Sequence, residues 1–259
     1  MGVKLKLYHW EPVTDCAKVM ICLREMGLDF ASEYVDILEF RQFAPEFLSM
    51  NPAGQVPVLV YGNEALSEST LINEFLAEAF PDRKLAPMDP KGWYETQAWG
   101  KYLDFNLATS IATLGWQATM VPLMQRRDQE SLRKAVERIP VKERQAAWAA
   151  AIAGAPAPEH LADSRRKIEL AAKRIESTLA TSPRLHRGEY SIVDIGGYAL
   201  AATLPRLAPE IVNSRSTPRM LEWLQRIGSR PAVKEVMAMR RLTEPLDVYA
   251  PGPEHSRWG

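Results

Sequence analysis

The sequence has few cysteines, few histidines and no excess of either charge. Its two cysteines, Cys16 and Cys22, fall in one helical stretch, where they cannot easily pair. That excludes a disulfide scaffold and points to a reducing compartment. The four histidines, His9, His160, His186 and His255, are scattered, and no two have the spacing of zinc ligands. No metal is therefore expected. Lys plus Arg and Asp plus Glu each total 32, so no global field gathers nucleic acid or anionic lipid. Ala146–Ala153 is the longest apolar run, far short of the roughly 20 residues a membrane span needs. Residues 1–7 lack the long apolar region and small-residue cleavage site of a signal peptide. The expectation is a cytoplasmic protein with neither nucleic acid nor membrane as partner. Internal repeats and low-complexity tracts are also missing. What is present, 46% hydrophobic and 25% charged residues over 259, supplies a real core and leaves little room for long disorder. At roughly 100–200 residues per domain, that is one large domain or two modest ones.

The first 80 residues alternate in type. Val3–Tyr8 alternates with period two and reads as a strand. Residues 15–27 carry an apolar stripe at Ala17, Val19, Met20, Leu23 and Met26, closed by Gly27 at a helix C-terminus. Phe30–Ile37 is a second strand and Phe40–Met50 a short helix, broken by the turn Asn51-Pro52-Ala53-Gly54. Val56–Tyr61 and Ala65-Leu66 form a hairpin through Gly62-Asn63, and Glu68–Phe80 is a helix. The order β-α-β-α-β-β-α builds an α/β sheet with helices on its faces. Residues 81–90, with three prolines, read as a linker, and the rest reads as helical up to a proline-rich tail, Glu244–Gly259, expected to be extended. The boundaries are 1–80, 81–90 and 91–259.

Two segments carry chemistry. In Asn51-Pro52-Ala53-Gly54-Gln55-Val56-Pro57-Val58-Leu59, a proline directly before a strand cannot donate to the ladder and can hold a cis bond. A cis bond would turn the Val56 amide and carbonyl out of the sheet, free to pair with an extended peptide. The plainer alternative is that Pro57 only starts an edge strand. In Leu66-Ser67-Glu68-Ser69-Thr70, polar residues open a helix whose free amides suit a carboxylate, with Glu68 placed for an ammonium. Ordinary N-capping is the competing reading.

In this element order the two segments resemble the glutathione transferase superfamily, as does Tyr190-Ser191-Ile192-Val193-Asp194-Ile195, which is similar to that family's helix-capping box. The resemblance covers essentially the whole chain. It implies a thioredoxin-like α/β N-terminal domain that binds glutathione, an all-helical C-terminal domain that binds a second substrate, and a homodimer. Glutathione is the implied cosubstrate. Val56, beside Pro57, is expected to pair with its cysteinyl backbone. Glu68 and Ser69 are expected to hold the γ-glutamyl end. For the glycyl carboxylate, Gln42 ranks first, with Gln55 and Arg41 as the other candidates.

The family places an activating Tyr, Ser or Cys between the first strand and first helix. Here that stretch, Tyr8 to Lys18, has no Ser. Alignment on Lys18-Val19 sets Thr14 near one class's catalytic serine and Cys16 near another's residue. Thr14 is the candidate hydroxyl for stabilising a thiolate, with N-capping as its plain alternative. Cys16 is a candidate for a mixed disulfide, or else a small apolar packer. Asp15 opposes thiolate formation unless it points away.

Thr113-Leu114-Gly115-Trp116 and the stretch Ile139–Trp148 border or lie within an insertion over about residues 117–157. They look like the bacterial glutathione-dependent β-aryl etherases of lignin breakdown. Ser216–Leu224 and Arg230–Glu235 are similar too. In place of a relative's Asn-Ser pair this chain has Asp15-Cys16. Trp10, Asn106, Ser110 and Trp116 are candidate lining for a pocket that takes a small aromatic electrophile, core burial being the alternative for the tryptophans. The implied reaction is thiolate attack on an aryl-substituted electrophile, in its sharp form β-aryl ether cleavage. A glutathione-dependent reductase or glutathione-removing enzyme using Cys16, and a non-catalytic interaction module, stay open.

Overall fold

Alternating apolar residues make Leu5–His9 the first strand, β1, with Leu5, Leu7 and His9 turned inward. The helical stripe that follows forms α1, Thr14–Glu25, whose Val19, Met20, Ile21 and Leu23 are fully buried. Strand β2, Ala31–Tyr34, returns parallel to β1. After helix α2, Pro45–Met50, strands β3, Val58–Tyr61, and β4, Glu64–Leu66, form a hairpin, and α3, Ser69–Ala79, follows. The sheet order is β2-β1-β3-β4, with β3 antiparallel to both of its neighbours. Gly62 makes the hairpin turn at φ +65°, a conformation in which a side chain is strained. This computed structural model describes residues 3–154 and 156–242, so the tail Glu244–Gly259 lies outside the described residues.

One stretch departs from the expected pattern. Instead of a strand to Ile37 and a helix from Phe40, the chain makes 3₁₀ turns at Ile37–Glu39 and Arg41–Phe43 before α2. Two local causes are visible. The Asp36 carboxylate accepts from the Leu38 and Glu39 amides, capping a turn where a strand would otherwise continue. Phe40 then adopts φ +56°, which breaks helical continuity.

The remaining helices are α4, Pro90–Leu103; α5, Thr109–Gly115; α6, Val121–Gln125; α7, Gln129–Glu137; α8, Lys142–Ala153; α9, Pro158–Leu179; α10, Ile192–Ala201; α11, Leu204–Leu207; α12, Pro218–Gly228; and α13, Pro231–Ala238. Asp104–Ala108 and Trp116–Met120 are π-helical turns, between α4 and α5 and between α5 and α6. The chain forms two compact units. Among the described residues, one takes 3–100, Arg184–Ala199 and 225–242; the other takes Lys101–Pro183 and Leu200–Leu224. Compactness thus follows packing rather than chain order.

In the first unit α1 packs on α3 and on α13. Leu7, Leu59, Ile72 and Leu76 lie in its core with no more than 1% exposure; such a side chain contributes roughly 1.5–3 kcal/mol on burial. Arg230 closes on both carboxylate oxygens of Glu25 and lies 3.7 Å over the Tyr190 ring, whose hydroxyl donates to the same carboxylate. The Ser191–Asp194 box forms as expected. Asp194 accepts from the Leu185 and Ser191 amides, and the Ser191 hydroxyl accepts from the Val193 amide. In the second unit α5 packs on α9, and Ile111 of α5 and Ile168 and Ala172 of α9 are buried. The insertion folds as α6, α7 and α8, and Trp148 of α8 meets Trp116 edge-on at 5.2 Å.

Candidate functional site

Register places the candidate residues of the first unit at one end of the sheet. Tyr8 of β1 pairs with Val58 of β3, so the loop leaving β1 and the segment entering β3 lie side by side. The Val56-Pro57 peptide is cis. Pro57 is buried, Val56 is half-buried against Val35, Phe47 and Val58, and β3 pairing begins only at Val58. Among the described residues no hydrogen bond occupies the Val56 amide or carbonyl. The strand-edge alternative does not account for that pair of open groups.

The turn before it is tightly specified. Asn51 accepts from the Ala53 amide and donates to the Gln55 carbonyl at 2.9 Å. Gly54 sits at φ +64°, and a Cβ there would lie 2.6 Å from the Phe43 ring. The turn is therefore wedged against Arg41–Phe43, which carries Gln42. Gln42 is 3% exposed, its amide nitrogen reaches the Ile37 carbonyl only at 3.5 Å, and its Oε1 has no hydrogen-bond partner. A buried amide with unspent bonding capacity is expensive unless a ligand completes it. Arg41 is exposed and Gln55 half-exposed.

At the start of α3, Glu68 takes φ +69° and no side chain caps the helix. The ordinary capping reading is thus not what the structure holds. Glu68 is exposed, while Ser69 is 7% exposed and donates to Asp15 Oδ1 at 2.7 Å. The open amides of this helix end carry its positive pole.

The candidate activators lie in the first turn of α1, directly after the loop that leaves β1. Helix α1 begins at Thr14 with no side-chain cap, and Thr14 itself has φ +43°. Its hydroxyl has no hydrogen bond within the described residues, although the residue is 2% exposed. Cys16 has different surroundings: 5% exposed, its sulfur accepts from the Trp10 amide at 3.4 Å. Burial pushes its thiol up to about 12, against the weaker opposing pull of that amide. Cys22 is likewise buried and raised by desolvation. Asp15 turns away from the loop, into an ion pair with buried Lys18 at 3.0 Å.

Two features at the end of β1 and in the loop after it had no signal in the sequence. Glu11, fully buried, accepts from the Tyr34 hydroxyl at 2.7 Å and from the Arg241 amide at 3.0 Å, so the chain after α13 is tied to the loop's base. His9 is buried and held below its ordinary range by desolvation, its ring bonded to the Trp10 carbonyl and the Ser32 hydroxyl. No motif marks either, because Glu11 depends on Tyr34 and Arg241 and His9 on Ser32, all distant along the chain.

Trp10 belongs to the first unit and is 2% exposed. Asn106, Ser110 and Trp116 belong to the second. Asn106 lies in the first π-turn, its amide donating to the Tyr102 carbonyl. Ser110 is 1% exposed with its hydroxyl unpartnered, and Trp116 opens the second π-turn. Among the described residues, no three His, Cys, Asp or Glu side chains converge as a metal cage. No helix there is long and apolar enough to cross a membrane.

Comparison with known proteins fits this geometry. The profile of the family described as "Glutathione S-transferase, N-terminal domain" matches residues 16–79. Protein LigF of Sphingobium sp. (strain NBRC 103272 / SYK-6) is 34% identical over 238 residues, covering 90% of this chain and 92% of that protein. The chain belongs to the glutathione S-transferase family. The crystal structure of "Beta-etherase LigF" superposes with a TM-score of 0.84, covering 91% of this chain and 99% of that one. Glutathione S-transferase 1 of Dianthus caryophyllus is 41% identical over 87 residues, 33% of this chain and 39% of its own. A Sulfitobacter glutathione transferase homologue solved with bound glutathione shares the fold at a TM-score of 0.67 and 20% identity. This glutathione S-transferase therefore has a thioredoxin-like sheet domain and a helical region, and it keeps the expected segments around Val56-Pro57 and Glu68-Ser69 while carrying Thr14, Asp15 and Cys16 in the first turn of α1.

Proposed function

We propose that the protein is a glutathione-dependent β-aryl etherase, with residues 1–80 as the glutathione-binding domain, 81–90 as a linker and 91–259 as the domain that binds the aromatic substrate. The observation that carries the glutathione half is the open Val56 amide and carbonyl beside the cis Val56-Pro57 bond. An extended cysteinyl backbone satisfies both groups at once, as strand addition does. The Ser69 backbone amide and the uncapped start of α3 suit the γ-glutamyl carboxylate, with Glu68 exposed beside them for the ammonium. Gln42 supplies the buried polar group for the glycyl end, and Gln55, whose carbonyl accepts from the Asn51 side chain, is the second candidate.

Thr14 is the activator in this reading. Its hydroxyl is unengaged at the uncapped N-terminus of α1, and both features favour an anionic sulfur. The thiolate attacks the carbon that bears an aryloxy group next to a ketone. The sulfur electron pair forms the C–S bond, and the C–O bond breaks with its pair leaving on the phenolate. The proton released by the thiol ends on the phenol. A phenolate leaves readily, so the chain need only orient the thiolate and exclude water. Trp10, Asn106, Ser110 and Trp116 are the proposed lining for the aromatic substrate. The etherase assignment rests on the 34% identity to LigF across nearly the whole chain.

The surroundings of Cys16 speak against the reductase reading. A nucleophilic cysteine needs a depressed pKa and access, and this one has neither. A homodimer fits the exposed Leu71 of α3 and Met88 and Tyr94 near and on α4, at 58%, 77% and 70% exposure. Cytoplasmic location completes the proposal. The test is incubation with glutathione and a set of β-aryl ether ketones that release a fluorescent phenol. Glutathione-dependent release is expected. Protein that binds glutathione yet releases no phenol from any of them contradicts the etherase claim and leaves the transferase family intact.

A further inference from the structure

A buried polar chain joins the first turns of α1 and α3. The Ser69 hydroxyl donates to Asp15 Oδ1 at 2.7 Å, and Lys18 Nζ reaches that same oxygen at 3.0 Å. Lys18 also donates to Thr70 Oγ1 at 3.3 Å, and the Asn73 side chain donates to the Lys18 carbonyl at 3.2 Å. Lys18 is 1% exposed, Asn73 3% and Asp15 6%. Apolar side chains would join two helices at least as well, because desolvating an ion pair offsets most of its attraction. Stability alone does not account for the pair. Its place does bear on the site: Asp15 follows Thr14 directly, and Ser69 is the first residue of α3.

A serine hydroxyl has one proton to give and two lone pairs to accept with. Here the proton goes to Asp15, whose carboxylate is paired with Lys18 in the interior. Ser69 then meets a ligand as an acceptor at Oγ and as a donor only at its backbone amide. A γ-glutamyl end presents an ammonium and a carboxylate together. The amides at the start of α3 suit the carboxylate; an oxygen that has no proton left to donate, with Glu68 exposed beside it, suits the ammonium.

We propose that Asp15, compensated by Lys18, is a positioning residue that fixes the Ser69 hydroxyl as an acceptor and so makes the site select ligands carrying the γ-glutamyl ammonium. This rests on the glutathione reading above. The test compares binding of glutathione with binding of its des-amino analogue, in which the γ-glutamyl ammonium is replaced by hydrogen, by titration calorimetry. Asp15→Ala with Lys18→Met removes the acceptor without stranding a charge. Asp15→Asn with Lys18→Met keeps an acceptor for the Ser69 proton at the same net charge. The parent prefers glutathione; in the Ala pair that preference falls by roughly tenfold, the scale of one charge-assisted hydrogen bond, and in the Asn pair it is retained. Ser69→Ala, a small change that needs no rescue, lowers the preference by itself, and adding the Ala pair to it lowers it no further. Equal weakening of both ligands, an Asn pair no better than the Ala pair, or an unchanged preference in Ser69→Ala overturns the proposal. A parent protein that binds neither ligand overturns the glutathione reading along with it.

Discussion

Thr14 and Cys16 are two residues apart, and in the proposed reaction the difference between them decides which one meets the sulfur of a bound thiol. Both were candidates in the sequence, where spacing alone cannot tell a hydroxyl with no partner from a thiol packed in the core. Burial separates them: Cys16 is desolvated and its thiol raised, whereas Thr14 opens an uncapped helix. Thr14→Val is the sharpest residue-scale change, because Val keeps the β-branched shape and faces the same φ +43° backbone. Only the hydroxyl is lost. Turnover per bound glutathione is expected to fall by roughly 10–100-fold, the worth of one hydrogen bond to a charged atom, and the pH at which the bound thiol ionises is expected to rise. Steady-state kinetics and an ultraviolet thiolate titration check both, and Cys16→Ala assayed alongside is expected to keep turnover near that of the parent. Asp15 was legible only as a threat to the thiolate. The structure turns it inward onto Lys18 and Ser69, a contact with a residue far along the chain that no local pattern signals.

At the scale of elements, the turn Asn51–Gly54 leads into the Val56-Pro57 peptide and is wedged against Phe43. Its residues were readable as a turn, since Asn and Gly have distinct local reasons to be there. What the sequence did not carry was the Phe43 ring packed where a Gly54 Cβ would go, nor the 3₁₀ turns that bring Gln42 beside it. Those turns follow from the Asp36 cap and the left-handed Phe40, each a single-residue event inside an apparently helical run. Gly54→Ala therefore meets two penalties, a strained φ and a ring that has to move. A loss of about 1–3 kcal/mol in denaturant unfolding is expected, together with weaker glutathione binding. An unchanged unfolding midpoint and affinity would show that the turn does not hold the site. The π-turns at Asp104–Ala108 and Trp116–Met120 were equally hidden, because an apolar stripe reads alike through one extra residue per turn.

For the whole molecule, the alternation of strand and helix patterns was enough to give the sheet, its hairpin and the helical remainder, because hydrophobic period is set by burial on one face. The division into compact units was not legible in the same way. Helix α4 starts in the unit of the sheet, and α10 and α13 contribute to it from far along the chain. The account stands on a tripeptide lying against the entrance to β3 with its sulfur beside the start of α1. A crystal of the protein grown with glutathione measures that directly. The cysteinyl amide and carbonyl are expected to pair with those of Val56, and the sulfur to lie within hydrogen-bond reach of Thr14 Oγ1. A ligand bound elsewhere, or a sulfur lying against Cys16 with the Val56 groups still open, would contradict it.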